Sequence, residues 1–195
     1  MVALDERLFL AINALVGKWI AFDRLMAFLV NDYFVILLLS FLLLALWFWG
    51  ANPQERFRLQ SLVLWTAAGI ALTSLMVKLS NIYLPARPRP FSTFTEIKLL
   101  FYQPHDPSFP SNSAAICFAV ATGIWLGHRK AGVIAYVLAV TYGFSRVFAG
   151  VHYVGDVIGG VILGSLCVLV TYWVFKKLGW LPRAIVQFMR ILRLA

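Results

Sequence analysis

Apolar residues run through this chain in long blocks separated by short polar breaks. A helix needs about 20 apolar residues to cross a bilayer. Five blocks approach that length: 25–49, about 60–84, 112–127, 131–149 and 153–175. Asn31 and Asp32 interrupt the first block near its start, and Lys78 sits within the last two turns of the second. Residues 1–22 are shorter and amphipathic, with Leu8, Phe9, Ile12 and Leu15 at helical spacing, the pattern of a helix lying at a membrane interface. Residues 176–195 place Lys176, Lys177, Arg183, Arg190 and Arg193 around an apolar face and predict a second interfacial helix. There is no internal repeat and no low-complexity stretch. The one long connection, 85–111, carries six prolines (Pro85, Pro88, Pro90, Pro104, Pro107 and Pro110). A connection of that length in a compact protein is usually functional or disordered, and the motifs flanking it favour function. The prediction is one all-α domain over 1–195, a polytopic membrane bundle of about five spans with interfacial helices at both ends.

Composition agrees: 62% of the 195 residues are hydrophobic and the mean hydropathy is +0.84, which excludes a soluble domain. The formal charge of +9 comes without a continuous basic stripe interleaved with aromatics, so nucleic acid is not a predicted partner. Cys117 and Cys167 lie inside apolar runs and read as small buried hydrophobes. The N-terminus lacks the pattern of a cleaved signal peptide, so the first span is expected to act as its own insertion signal. Arg56, Arg58, Arg129, Lys130 and the C-terminal cluster fall on one side of the predicted topology. Arg7, Lys18, Arg24, Arg87, Arg89, Lys98 and Arg146 fall on the other. The positive-inside rule then puts the C-terminus in the cytoplasm, and five spans put the N-terminus and the long loop outside.

Ionisable groups at membrane depth are costly and mark candidate function. The segment SRVFAGVHYVGD brings Ser145, Arg146, His152 and Asp156 together beside a span. His152 and Asp156, four residues apart, share a helix face, so the carboxylate could fix the imidazole tautomer and leave a nitrogen free to attack. The same pair could also be a polar staple between helices. Gly150 allows the chain to reverse, so that Arg146 and His152 face one pocket; a guanidinium suits phosphate, although it could instead snorkel to the interface. Arg87 and Arg89 stand in the proline-held stretch ARPRPF, which outside any pattern would be an ordinary basic loop. Lys78 either snorkels or points into a polar cavity. Ser111, Asn112 and Ser113 open the third span, where a helix N-terminus could bind phosphate or simply be capped. His105 lies in the loop, and His128, beside Arg129, reads as solvated. No His, Cys, Asp or Glu cluster has metal-ligand spacing, so no metal and no cofactor are predicted.

Taken together, these segments resemble the type 2 phosphatidic acid phosphatase (PAP2) superfamily, and within it the bacterial undecaprenyl-pyrophosphate phosphatases. The family signature is Lys-x6-Arg-Pro, Pro-Ser-Gly-His and Ser-Arg-x5-His-x3-Asp. The third motif is complete as Ser145, Arg146, His152 and Asp156. The resemblance implies a lipid phosphatase in which His152 attacks phosphorus and forms a phosphohistidine. It further implies that Lys78, the loop arginine, Ser111, Asn112 and Arg146 hold phosphate oxygens. Two positions depart. Lys78 precedes Arg87 by nine residues and Arg89 by eleven, against seven in the family. An offset of about one helical turn assigns the motif role to Arg89, with Arg87 auxiliary. Ser113 stands where the family has its general-acid histidine. Three accounts follow: a pyrophosphate leaving group that needs little protonation, substitution by His105, or a variant that binds lipid phosphate without turnover. Implied substrates are undecaprenyl pyrophosphate first, with phosphatidylglycerol phosphate, phosphatidic acid or lipid A as alternatives. The implied setting is the bacterial inner membrane with the site facing outward; oligomeric state is not indicated.

Overall fold

The computed structural model describes residues 2–192, and Arg193 of the basic tail lies outside them. The apolar blocks are helical. In chain order the helices are α1 (Val2–Asn13), α2 (Ile20–Leu29), α3 (Phe34–Phe48), α4 (Pro53–Tyr83), α5 (Pro90–Thr93), α6 (Asn112–Gly127), α7 (Arg129–Phe148), α8 (Val154–Lys177) and α9 (Trp180–Ile191). Local chemistry sets several of these boundaries. Asn52 caps α4 by accepting from the Glu55 amide at 2.9 Å, Glu55 reaches back to the Ala51 amide at 3.0 Å, and Pro53 opens the helix. The only residue between α6 and α7 is His128, whose Nδ1 accepts from the Ala131 amide at 3.1 Å. His128 is therefore a half-buried helix cap rather than a solvated side chain.

Among the described residues three helices, α4, α7 and α8, are long and apolar enough to span a bilayer. The predicted first span is a bent pair: α2 and α3 meet at 56° across Val30–Tyr33, where Asn31 accepts from the amides of Tyr33 and Phe34. Counted as one span, the pair makes four. The apolar helix α6, at 16 residues, is shorter than a full crossing. The all-helical polytopic architecture stands, with one predicted span broken and another short.

Helix α6 is the centre of the bundle, packed against α4, α7 and α8 and buried almost continuously from Ala114 to Ile124. Apolar surface supplies no drive for helices to associate within lipid, so close approach must do so. Gly160 and Gly164, four apart on α8, allow it. A Cβ at Gly160 would meet the Ser111 carbonyl, and one at Gly164 would meet the Ala115 carbonyl. Thr122 on α6 adds hydroxyl contacts to Tyr136 on α7 at 2.9 Å and Ser165 on α8 at 3.0 Å. The α6–α8 contact fixes the N-terminal ends of both helices side by side.

Helix α1 is less peripheral than an interfacial helix. Phe9 is fully buried, edge-on to Tyr153, and the Asn13 side chain donates to the main-chain carbonyls of Lys98 and Phe148 at 2.8 and 3.0 Å. Helix α9 is amphipathic as predicted, burying Pro182 and Val186 and exposing Arg183 and Arg190. Replacing Gly164 with leucine should separate α6 from α8 at a cost of about 1–3 kcal/mol. Thermal unfolding in detergent should show a midpoint several degrees lower, whereas a leucine at Gly179, where a Cβ meets nothing, should leave it unchanged.

Candidate active site

The chain reverses between α7 and α8 through Gly150, whose φ of +87° and closeness to the Lys98 carbonyl disfavour a side chain. That reversal turns His152 inward, where only 2% of it is exposed. Four residues after His152, in the first turn of α8, comes Asp156, fully buried, with its carboxylate shared among several donors. Oδ2 accepts from the Tyr153 amide at 2.9 Å and from the Ser108 hydroxyl, and Oδ1 accepts from Arg87 Nη1 at 2.7 Å.

The two ring nitrogens of His152 face opposite chemistries. Nδ1 lies 3.0 Å from the Ser108 carbonyl oxygen and 3.7 Å from Asp156 Oδ2, both acceptors. Nε2 lies 3.2 Å from Arg89 Nη1, which has only protons to offer. The surroundings therefore assign the proton to Nδ1 and leave a lone pair on Nε2. The direct His–Asp hydrogen bond expected from the spacing is absent, since 3.7 Å is too long. Ser108 intervenes, its carbonyl holding the ring and its hydroxyl holding the carboxylate. Burial disfavours the imidazolium and outweighs Asp156, with Arg146 and Arg89 lowering it further, so the His152 pKa falls to about 4.

A cavity of about 320 Å³ opens beside His152. Arg89, Arg146 and His152 line it together with Asn112 and Ser113 at the start of α6, Asp32 and Asp106 supply acidic groups, and Ile36 and Ile116 supply an apolar side. Arg89 is buried and donates to the Asp106 carbonyl, the Asp106 carboxylate and the Val151 carbonyl, each at 2.9 Å. Burial lowers its pKa, offset in part by Asp106. Arg146 donates from Nη1 to Asp32 at 2.8 Å and to the Val30 carbonyl at 3.1 Å, while its buried Nε has no partner. Asp32 also accepts from the Tyr102 hydroxyl; that bond, with burial, pushes the Tyr102 pKa up to about 12.

Ser111 precedes α6 without capping it, and its buried hydroxyl has no partner. The first-turn amides of α6 are thus not used by a cap, next to a cavity lined by Asn112 and Ser113. Ser111 itself does not line the cavity; its amide donates to the Asp156 carbonyl at 3.0 Å.

Other predicted residues sit elsewhere. Ser145 donates to the Tyr142 carbonyl at 2.7 Å and takes no part in the cavity. Lys78 is exposed on α4, which continues to Tyr83 before the chain turns toward the site, and it lines neither this cavity nor its neighbour. Arg87 points to the far side, where Nη2 meets Asp5 and Nη1 meets Asp156, both at 2.7 Å, with its guanidinium 4.0 Å from the centre of the Tyr153 ring. Burial opposes its charge, but the two carboxylates prevail and raise its pKa. His105 lines a neighbouring hollow of about 430 Å³ that shares Arg89, Pro104 and Asp106 with the first cavity. The sequence reading missed Asp5, Asp106 and Ser108, and noted Asp32 only as a break in a span. The signal for the three aspartates was the need of each loop or membrane-depth arginine for an acidic partner in a chain with only eight acidic residues; nothing in the sequence marked Ser108. Among the described residues, no group of three or more His, Cys, Asp or Glu side chains is placed to hold a metal ion.

The chain is similar to known proteins. Undecaprenyl-diphosphatase BcrC from Bacillus subtilis is 29% identical over 165 residues, 84% of this chain and 80% of that one. The bacitracin transport permease protein BcrC from Bacillus licheniformis is 34% identical over 103 residues, 53% of this chain; the match spans about half of that relative, 51% of its length. The crystal structure of Aquifex aeolicus LpxE superposes with a TM-score of 0.64 at 27% identity, covering 85% of this chain and 93% of that one. The PAP2 superfamily profile matches residues 61–180, a stretch that holds the loop arginines, the start of α6 and the His152 turn. That match covers more than half of the chain and bears out the resemblance drawn from its motifs: this multi-pass membrane protein belongs to the PAP2 superfamily of phosphatases.

Proposed function

We propose that the protein removes the terminal phosphate of a lipid diphosphate, undecaprenyl diphosphate, at the extracytoplasmic face of a bacterial inner membrane. The observation that carries this reading is that His152 lines one cavity with Arg89 and Arg146, its Nε2 lone pair facing the Arg89 guanidinium at 3.2 Å. Nε2 attacks the terminal phosphorus; the new P–N bond forms as the bond to the bridging oxygen breaks, and the lipid monophosphate leaves. Water then attacks the phosphohistidine, releasing inorganic phosphate and restoring the imidazole. The Nδ1 proton stays on the ring, held by the Ser108 carbonyl, while the Asp156 carboxylate stabilises the positive charge that develops there. Arg89, Arg146 and the first-turn amides of α6 take the phosphate oxygens and stabilise the transition state. Lys78 has no part in this arrangement, and Arg87 acts on Asp156 rather than on phosphate.

Ser113 bears on the substrate. It lines the cavity where the family's acid would stand, and a serine hydroxyl is a poor acid. A phosphate leaving oxygen needs far less protonation than an alkoxide, which favours a diphosphate over a monoester. The named activity of the Bacillus subtilis relative supports the same choice. The orientation rests on charge: Arg56, Arg58, Arg129, Lys130, Lys176 and Lys177 flank the opposite ends of α4, α6, α7 and α8.

Phosphate release from a lipid panel tests the reading. Undecaprenyl diphosphate should be hydrolysed at least about tenfold faster than undecaprenyl phosphate or phosphatidic acid. His152→Ala should lose about 10³-fold or more. Ser113→His should speed monoester hydrolysis by roughly 10²-fold and diphosphate hydrolysis much less. A preference for monophosphates, turnover surviving His152→Ala, or binding without any release would each overturn it. Histidine-labelled NMR supplies a second check, with His152 assigned by its loss in His152→Ala. Its titration midpoint should lie about 4 rather than 6.5. Because the folded value lies below the unfolded one, stability from the neutral ring is complete above about pH 6.5 and declines as the pH falls toward 4.

A further inference from the structure

Arg87 is held between two carboxylates that are far apart in sequence. Its Nη2 meets Asp5 on α1 at 2.7 Å, and its Nη1 meets Asp156 on α8 at 2.7 Å. The other Asp5 oxygen accepts from the Gly155 amide at 2.8 Å, and Gly155 is the residue just before Asp156. A Cβ at Gly155 would strike the Asp5 carboxylate, so the close seat of Asp5 on the first turn of α8 depends on glycine there. Phe9, buried against Tyr153 and Phe94, and Asn13, bonded to the Lys98 and Phe148 carbonyls, hold α1 in register on either side of the turn. Asp5 thus reaches the His152 machinery by two routes, one through Arg87 and one through the backbone of α8.

We propose that Asp5 is a positioning residue for the phosphatase reaction: through Arg87 it fixes the Asp156 carboxylate and keeps that carboxylate net negative beside His152. The inference rests on the reading of His152 as nucleophile. Charge accounting gives it content. With Asp5 present, one guanidinium is divided between two carboxylates, and the trio keeps one negative charge. That charge favours the positive ring formed when Nε2 bonds to phosphorus. Without Asp5, Arg87 neutralises Asp156 alone, and the ring loses its compensating field. Without Arg87, both carboxylates are unneutralised and the field strengthens, although Asp156 loses its anchor. The charged groups facing His152 itself are Arg89 from the loop, Arg146 from α7 and Asp156 from α8. Those facing Arg87 and Tyr153 are Asp5 and Glu6 from α1 and Asp156 from α8.

The test uses the full chain in detergent or lipid vesicles, with undecaprenyl diphosphate as substrate and histidine NMR as a readout independent of turnover. Asp5→Asn should cut kcat about tenfold, leave KM within about twofold, and move the His152 midpoint down by roughly half a pH unit. Arg87→Gln should move the midpoint up, the opposite direction, while also lowering kcat. Asp5→Glu keeps the charge and should restore the midpoint even if α1 shifts to accommodate it. Glu6→Gln removes an equal charge from the same helix and should change neither reading. An Asp5→Asn protein that melts at a lower temperature but keeps the wild-type midpoint and kcat would reduce Asp5 to a structural clasp and overturn the proposal. Midpoint shifts of the same sign in Asp5→Asn and Arg87→Gln, or an equal shift in Glu6→Gln, would overturn it too. Turnover surviving in His152→Ala would instead overturn the nucleophile assignment, so the two failures are distinguishable.

Discussion

A guanidinium or carboxylate removed from water is tolerable only when it is paired and hydrogen-bonded, and the end of this bundle that holds His152 is organised by that demand. Arg87 meets Asp5 and Asp156, Arg89 meets Asp106, and Arg146 meets Asp32. The first of these groups ties α1 through the loop to α8, and the last ties α7 to the break between α2 and α3. Such pairs add little net stability, because desolvation offsets most of the attraction. They decide position instead. Cohesion comes from the glycine-lined approach of α8 to α6, which sets the helix ends on which the ions converge.

Much of this was legible in the chain before any fold was known. Runs of apolar residues gave the helices, and the Gly150 turn gave Arg146 and His152 a shared cavity with Asp156 buried close behind the ring, because helical periodicity and one glycine turn are local facts. What escaped was non-local. Asp5 and Arg87, or Asp32 and Arg146, are joined by no periodicity, and the short distance between them appears only after the helices have packed. Span one was read as a single crossing interrupted near its start by Asn31 and Asp32, without the bend that they mark. Their polarity marked both the bend and a partner for Arg146, and the two signals are one. Lys78 was placed by counting residues along a helix face, but α4 extends past it and leaves it on the outside.

The arrangement around His152 also shows how neighbours other than the expected one select a tautomer. The four-residue spacing brings Asp156 near the ring, yet Nδ1 meets the Ser108 carbonyl first. A main-chain acceptor cannot be protonated away at moderately acidic pH, so it holds the ring under conditions that would weaken a carboxylate. The loop that carries Ser108 is therefore as much a part of the site as the helix that carries Asp156.

The acidic partners of the arginines have one more consequence. Three arginines against four carboxylates leave this cluster with one net negative charge when His152 is neutral, although the chain as a whole carries +9. The cluster is therefore no electrostatic magnet for an anion arriving from afar. Asp32 and Asp106 occupy the guanidinium faces, so under the proposed function a phosphate would have to take their place, as in an ion exchanger. Occupancy would then be settled by competition between carboxylate and phosphate for the same donors, a contest that favours the anion with more charge and more oxygens to offer.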